Sequence, residues 1–216
     1  ATMWRSVDAY WQETLGLAWE AFREGNVPVG SIIVDAEGGI VSRGQNAIFD
    51  SFSNSPLAGT NVAHAEMNAL CQLQKGDHGA IRRYTLYTSL EPCPMCFGAA
   101  VMMGIRHIRY GARDAIAGSI ALRAATPYLS SKKIKVGMAD TTLEVFQLAL
   151  VTAFELKREH SRLTEFLERL QSDCPVGVAV GTELFKRGYF SQAIKENYPA
   201  GQVFQDVVGC ALQRGF

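Results

Sequence analysis

Two short segments of the chain contain the residue types that bind transition metals and transfer protons. One segment is H-A-E, which begins at His64, and the other is P-C-P-M-C, which begins at Pro92. Imidazole and thiolate ligands together suit zinc, and three protein ligands leave a fourth zinc position open, as in catalytic sites. His64, Cys93 and Cys96 are therefore predicted to bind one zinc ion.

The glutamate of the first segment, Glu66, adds a proton acceptor beside these ligands. Water on a zinc ion has its pKa lowered toward about 7, and a neighbouring carboxylate can take its proton and pass it on. His64 and Glu66 are two residues apart, which is roughly 200° around a helix. Both therefore line one cavity only if that cavity lies beyond the end of the helix. Glu66 is the predicted catalytic residue.

The elements that carry these residues are predicted to be helices that begin at the two segments. Cys93 and Cys96 are three residues apart, so a helix that starts there places both sulfurs on one face. The dipole and the free N–H groups of its first turn stabilise thiolates. Pro94 suits the first turn of this helix, predicted over 93–103. A second helix is predicted over 64–74.

The rest of the chain alternates between helical and extended patterns. Before the metal segments, the patterns predict a helix over 8–23, a hairpin within 30–42 and a loop over 49–61. Later patterns predict strands at 84–89, 107–110 and 134–136, helices over 140–170, a break in the helical pattern at 175–181, and a helix at 200–214. A hairpin followed by alternating helix and strand predicts an α/β sandwich with a mixed sheet.

The two metal segments match the pattern H-x-E followed by P-C-x-x-C, which is the signature of zinc deaminases. The chain thus resembles the cytidine and nucleotide deaminase superfamily over about residues 8–136. The stretches at 27–30, 44–46, 63–70 and 86–99 resemble the branch that contains guanine deaminases and tRNA adenosine deaminases. The stretch at 110–119 is more similar to the tRNA enzymes.

The resemblance implies a cytidine deaminase-like fold, which is a three-layer α/β/α sandwich around a five-stranded mixed sheet. The deaminase domain is expected over 1–140, with a mainly helical C-terminal extension of unknown role over 141–216. Close relatives of this fold are dimers or larger, so the resemblance also implies a homodimer.

The resemblance implies the same zinc ligands and the same proton carrier that the residue types predict. It adds three contacts to the substrate. Asn46 matches the asparagine after the second strand that hydrogen-bonds the base, and the backbone of Ala65 and of Val29 is expected to line the pocket. Phe49 and Phe52, in the loop before the zinc helix, are candidates either for stacking on a base or for packing within the loop.

The activity implied is zinc-dependent hydrolytic deamination, which converts an exocyclic amino group to a carbonyl and releases ammonia. The preferred substrate is a free nucleobase or nucleoside, most of all a purine such as guanine. The alternatives, in order, are adenosine-to-inosine deamination of tRNA, deamination of a cytosine-type nucleoside or nucleotide, and a non-catalytic scaffold stabilised by zinc. A structural zinc site needs a fourth protein ligand, for which His78 and His107 are candidates.

Composition and charge restrict the kinds of partner that are expected for this chain. Lysine and arginine number 21 and aspartate and glutamate number 21. Nucleic-acid binders usually carry a basic excess, so this balance favours a small-molecule substrate over RNA. The chain has no apolar run of about 18 residues, so no membrane partner is expected. The odd count of five cysteines and the absence of a signal-peptide pattern at its start favour the cytoplasm.

Overall fold

A computed structural model describes residues 2–51, 55–76 and 78–216 of the chain. Its strands are β1 (Gly30–Val34), β2 (Ile40–Gln45), β3 (Thr85–Leu90), β4 (His107–Ala112) and β5 (Lys135–Met138). Its helices are α1 (Thr2–Ser6), α2 (Ala9–Arg23), α3 (Ala65–Leu70), α4 (Pro94–Met103), α5 (Pro127–Ser131), α6 (Thr141–Arg158), α7 (Leu163–Asp173), α8 (Pro175–Lys186), α9 (Tyr189–Lys195) and α10 (Ala200–Leu212). Short 3-10 helices lie at Ile81–Arg83 and Ile120–Ala124.

The five strands form one mixed sheet in the order β2-β1-β3-β4-β5. β1 pairs antiparallel with β2 and with β3, whereas β3, β4 and β5 run parallel. The predicted hairpin and the predicted fifth strand are both confirmed. Because β3 and β4 are parallel neighbours, the loops that follow them leave the sheet at the same edge.

Helices cover both faces of the sheet, as the three-layer prediction requires. On one face α3 and α4 pack on Leu86 and Ile108, which are fully buried. On the other face α2 and α6 pack with Leu15 and Phe146, also fully buried. Each such side chain contributes roughly 1.5–3 kcal/mol through the apolar surface that it removes from water. The two cores together hold the sheet between its helical layers.

Local sequence signals explain where the long helices begin and end. The carboxylate of Asp8 accepts a hydrogen bond from the backbone of Tyr10 and caps α2. Asp140 caps α6 in the same way. α4 begins with Pro94 and ends at Gly104, whose φ of 111° only glycine adopts readily. Helix α3 is shorter than predicted, since regular helix ends at Leu70 and turns follow it.

The C-terminal helices share one hydrophobic core with α2. The helical pattern over 140–170 folds as two helices, α6 and α7. The break predicted at 175–181 is wrong, because this segment forms the first half of α8. Its glycines are spaced four apart and press against α6: a Cβ at Gly177 would lie 3.1 Å from the carbonyl oxygen of Val145, and one at Gly181 only 2.5 Å from that of Ala149. The domain boundary at residue 140 stays a prediction.

The short helices α1 and α5 were not predicted. Each has five residues, which is too few to show a helical period in the sequence. No helix in the described part of the chain combines the length and the apolar character needed to cross a bilayer.

The close contact between β2 and α3 predicts that Gly44 cannot carry a side chain. A Cβ at this position would lie 2.2 Å from the carbonyl oxygen of Ala65 and 2.5 Å from the backbone nitrogen of Ala69. We expect Gly44→Ala to lower the free energy of unfolding by about 1–3 kcal/mol, because the helix must move away from the strand. Urea unfolding of the two proteins measures this difference.

Gly16→Ala in α2 is the matched control, because a Cβ there meets nothing within 4 Å beyond its own helix. It is expected to stabilise the protein by up to about 1 kcal/mol. Equal stability of the Gly44 and Gly16 variants would show that α3 does not rest on the strand as described.

Candidate active site

The three predicted zinc ligands meet where α3 and α4 begin. His64 is the residue that precedes α3, Cys93 precedes α4, and Cys96 lies in the first turn of α4. The Nδ1 atom of His64 lies 3.6 Å from the sulfur of Cys93 and 3.5 Å from that of Cys96. A tetrahedral zinc ion with ordinary Zn–N and Zn–S bonds separates nitrogen from sulfur by about 3.5 Å. The donor atoms and their spacing therefore fit zinc.

The electrostatics of the cysteine pair favour a thiolate ligand. A hydrogen bond from Cys96, together with one from His64, lowers the pKa of the Cys93 thiol to about 4. The same hydrogen bond to Cys93, and burial, raise the pKa of Cys96. A bound metal ion deprotonates a coordinating thiol outright. The environment of Cys93 thus favours the thiolate, which is the form of cysteine that binds zinc.

A structural zinc site would need a fourth protein ligand, and the described residues place none beside His64, Cys93 and Cys96. Among the residues that the structure describes, the only group of three or more potential ligands with its atoms within 4.8 Å is His64, Cys93 and Cys96. His78 instead lies beside the hydroxyl of Tyr84, with Nδ1 and the oxygen 3.0 Å apart. His107 begins β4. Three protein ligands leave the fourth position for a reacting molecule.

Glu66 lies in the first turn of α3 and is only 3% exposed. Its Oε1 accepts a hydrogen bond of 2.9 Å from the hydroxyl of Thr88, which lies in β3. Burial raises the pKa of the Glu66 carboxyl. A raised pKa means that this carboxyl holds a proton more readily than an exposed glutamate does, which suits a residue that transfers protons.

A cavity of about 130 Å³ opens beside the ligands. Its lining residues are Val27, Val29, Asn46, His64, Glu66, Leu90, Glu91, Cys93, Asp114 and Ala117. The cavity therefore lies at the carboxyl ends of β3 and β4, where α/β sheets commonly bind their ligands.

The loop after β4, residues 113–120, forms one wall of this cavity. The side chain of Glu91 accepts a 3.0 Å hydrogen bond from the backbone of Ile120. The backbone of Ser119 donates to the carbonyl of Pro92 at 3.1 Å. These contacts tie the loop to the segment that carries the cysteines, so the wall and the metal site are held together.

Asp114 is the main cavity residue that the sequence analysis did not single out. One of its carboxylate oxygens accepts hydrogen bonds from the backbone of Ile116 and Ala117. Burial raises the pKa of the Asp114 carboxyl. Its position just beyond the carboxyl end of a parallel strand was the available signal, since acidic residues there commonly face the ligand site.

The structure places the predicted substrate residues as follows. Asn46 and Val29 line the cavity. The Oδ1 of Asn46 accepts a hydrogen bond of 3.2 Å from the backbone of Ile48, which fixes the side chain at the wall of the cavity. Ala65 is buried between His64 and Glu66. The contacts of these residues with a substrate stay predictions.

Of the two loop aromatics, Phe52 lies outside the described residues. Phe49 is 52% exposed, and its ring centroid lies 6.3 Å from that of Phe154 in α6. The loop aromatic therefore packs partly on the C-terminal helices.

The sequence profile described as "Cytidine and deoxycytidylate deaminase zinc-binding region" matches residues 5–112. The tRNA-specific adenosine deaminase of Haemophilus influenzae is 32% identical over 162 residues, which cover 74% of this chain and 89% of that protein. The chain therefore belongs to the cytidine and deoxycytidylate deaminase family, whose matched region is a zinc-binding one, and its histidine–cysteine–cysteine cluster has the donor atoms to hold that ion.

Two other similar proteins match a smaller share of this chain or match it at lower sequence identity. The tRNA(Ile)-lysidine synthase of Deinococcus radiodurans is 40% identical over 109 residues, which are 50% of this chain and only 18% of that protein. The chain thus spans less than a fifth of that relative. A solved structure titled as guanine deaminase from Nitrosomonas europaea has a TM-score of 0.52 and 22% identity, covering 68% of this chain and 82% of that one. At this identity the match supports the fold alone.

The geometry of the site predicts that Cys93→Ser lowers the zinc content far below one ion per chain. A serine hydroxyl stays protonated and is a harder ligand than a thiolate, so it binds zinc poorly. Elemental analysis of the purified protein measures the metal content. Cys71→Ser is the matched control, since Cys71 is an exposed cysteine at the end of α3. Full zinc content in the Cys93 variant would exclude Cys93 as a ligand.

Proposed function

We propose that this chain is a zinc-dependent hydrolytic deaminase of a free nucleobase or nucleoside, with a purine such as guanine preferred. It replaces an exocyclic amino group by a carbonyl, consumes one water and releases ammonia. The observation that carries the proposal is the small cavity that His64, Cys93 and Glu66 line together, with Cys96 completing the ligand cluster behind them.

The size of the cavity favours a single base. Its volume of about 130 Å³ lies below the roughly 300 Å³ at which pockets for drug-sized ligands begin. One ring system fills such a space, and a sugar or a polynucleotide would have to remain outside it. Apolar contacts from Val27, Leu90 and Ala117 suit the faces of a flat ring.

The charges that line the cavity favour a substrate rich in N–H donors. Glu66, Glu91 and Asp114 contribute carboxyl groups, and no lysine or arginine is among the lining residues of the described chain. Carboxylates accept hydrogen bonds from ring and amino N–H groups, and they repel phosphates. Guanine carries N–H donors on its amino group and on its rings, so it suits this lining better than a nucleic-acid backbone does.

Glu66, Thr88 and Asn46 have different roles in the proposed reaction. Zinc, when bound, activates water at neutral pH and polarises the substrate. Glu66 takes one proton from the attacking water and delivers it to the ring nitrogen next to the amine-bearing carbon. It then takes the remaining proton of that water from the new hydroxyl group and delivers it to the departing amine, so that a carbonyl and ammonia result. Thr88 holds the carboxyl of Glu66 in place through the 2.9 Å hydrogen bond. Asn46 offers its amide N–H groups to acceptors on the base.

A second candidate is the deamination of adenosine in tRNA. It is favoured by the Haemophilus influenzae relative, named a tRNA-specific adenosine deaminase, whose alignment covers 89% of that protein. The acidic lining of the cavity and the balance of 21 basic and 21 acidic residues favour the small substrate instead. A homodimer and a cytoplasmic location stay predictions.

Glu66→Gln is expected to retain zinc and to lower kcat by a factor of about 10²–10⁴, because the amide cannot carry the proton. Ammonia release and elemental analysis of the same sample measure both quantities. Glu183→Gln is the control, since Glu183 pairs with Arg187 and Arg214 in the C-terminal helices. Wild-type turnover in the Glu66 variant would refute the proton-transfer role, and loss of turnover in both variants would point to a general defect.

The substrate is tested by ammonia release from zinc-loaded protein with guanine, guanosine, adenosine, cytosine and cytidine. Unmodified tRNA is incubated in parallel and digested to detect inosine, and Glu66→Gln serves as the blank. We expect the highest kcat/KM with guanine. Inosine in tRNA without turnover of any free base would establish the second candidate. No reaction with any substrate, with zinc bound, would favour a non-catalytic scaffold.

A further inference from the structure

One face of α6 carries the residues that contact the walls of the cavity. Glu144, Gln147, Phe154 and Arg158 follow one another at intervals of three, seven and four residues. This spacing places them along a single stripe of the helix. The helix lies beyond residues 5–112, where the family profile ends. The stripe therefore contacts the walls of the site from a helix that the family profile does not cover.

Glu144 holds the loop that contributes Asp114. Its side chain is 2% exposed, and its carboxylate accepts hydrogen bonds from Nε and Nη2 of Arg113 at 2.7 and 2.9 Å. The backbone N–H of Arg113 donates to the same carboxylate at 3.2 Å. The guanidinium also donates to the carbonyl of Asp173 in α7. Both the main chain and the side chain of the residue before Asp114 are thus fixed by the C-terminal helices.

Gln147 holds a second wall segment. It is fully buried, and its Nε2 donates a 2.6 Å hydrogen bond to the carbonyl of Pro28. Pro28 lies between Val27 and Val29, which both line the cavity. Since Pro28 has no N–H group, its carbonyl is the only backbone group by which another element can hold it.

A third segment beside the cavity is the loop that follows the lining residue Asn46, and Phe154 and Arg158 contact this loop. The guanidinium of Arg158 lies 5.1 Å from the ring centroid of Phe49 and 5.6 Å from that of Phe154. The backbone N–H of Phe49 donates to Asn26, the residue before Val27. The helix end thus packs on the segment that follows Asn46.

We propose that this stripe of α6 sets the shape of the substrate cavity, and that Glu144 and Gln147 are positioning residues that govern substrate affinity. The inference rests on the proposed function, since it concerns the same cavity. Neither residue lines the cavity, so they act through Asp114 and through Val27 and Val29. Displacement of a site residue by about 1 Å can reduce the rate by a factor of about 10².

The first test measures the wall segments without any substrate. Glu144→Gln removes the charge and keeps the size of the side chain, and Gln147→Met removes the hydrogen-bond donor. Amide hydrogen exchange is expected to become faster in residues 113–120 for the first variant and in residues 26–30 for the second, because each segment loses its anchor. Thr152→Val is the matched control, since Thr152 is buried in α6 and its hydroxyl has no hydrogen-bond partner in the described chain.

The second test measures kinetics with whichever base the wild-type protein deaminates. Both positioning variants are expected to raise KM by about tenfold to a hundredfold, with a smaller change in kcat and an unchanged zinc content. Thr152→Val is expected to leave both constants unchanged. If Glu144→Gln does not fold, Arg113→Lys replaces it, because lysine keeps the charge and cannot make the two-nitrogen contact.

The two experiments distinguish a failure of this inference from a failure of the proposed function. A wild-type protein that deaminates no base would refute the proposed function, and the exchange experiment would still test the positioning role. Exchange and KM values in the Glu144 and Gln147 variants that equal those of Thr152→Val would overturn the inference.

Discussion

The structure depends on bringing three ligand atoms from two distant segments within 4.8 Å of one another. His64 and the cysteine pair are about thirty residues apart in sequence, and each segment begins a helix on the same face of the sheet. The sheet order fixes where these helices begin, because α3 follows β2 and α4 follows β3, with β1 between the two strands. A glycine at position 44 then allows α3 to lie directly on β2. Loss of any of these contacts would move α3 or α4 and so increase the distances between the ligand atoms.

The same arrangement explains how acidic groups are tolerated inside the protein. A histidine and two thiolates around a doubly charged metal ion sum to no net charge, so the cluster itself adds no uncompensated charge. Beside it, Glu66 is buried with one hydrogen bond from Thr88, and burial raises its pKa. The desolvation that destabilises a buried carboxylate is thus the cause of the raised pKa of Glu66.

The C-terminal helices connect this chemistry to the stability of the whole chain. α8 approaches α6 through Gly177 and Gly181, and both helices share the core that buries α2. A helix packed this firmly is a rigid support, since protein interiors are dense and resist displacement. The walls of the cavity therefore rest on helices that lie beyond the residues matched by the family profile.

The sequence by itself determined the local features. Residue type and short spacing predicted the candidate zinc ligands, Glu66, the starts of α2 and α6 and the strands, because a few neighbouring residues define each of them. Only the tertiary structure decided the rest. The segment 175–181 is helical because its glycines fit against α6, and Asp114 enters the cavity because β3 and β4 are parallel neighbours. Both outcomes depend on contacts between residues far apart in the chain, and the pattern of a single segment carries no information about its distant neighbours.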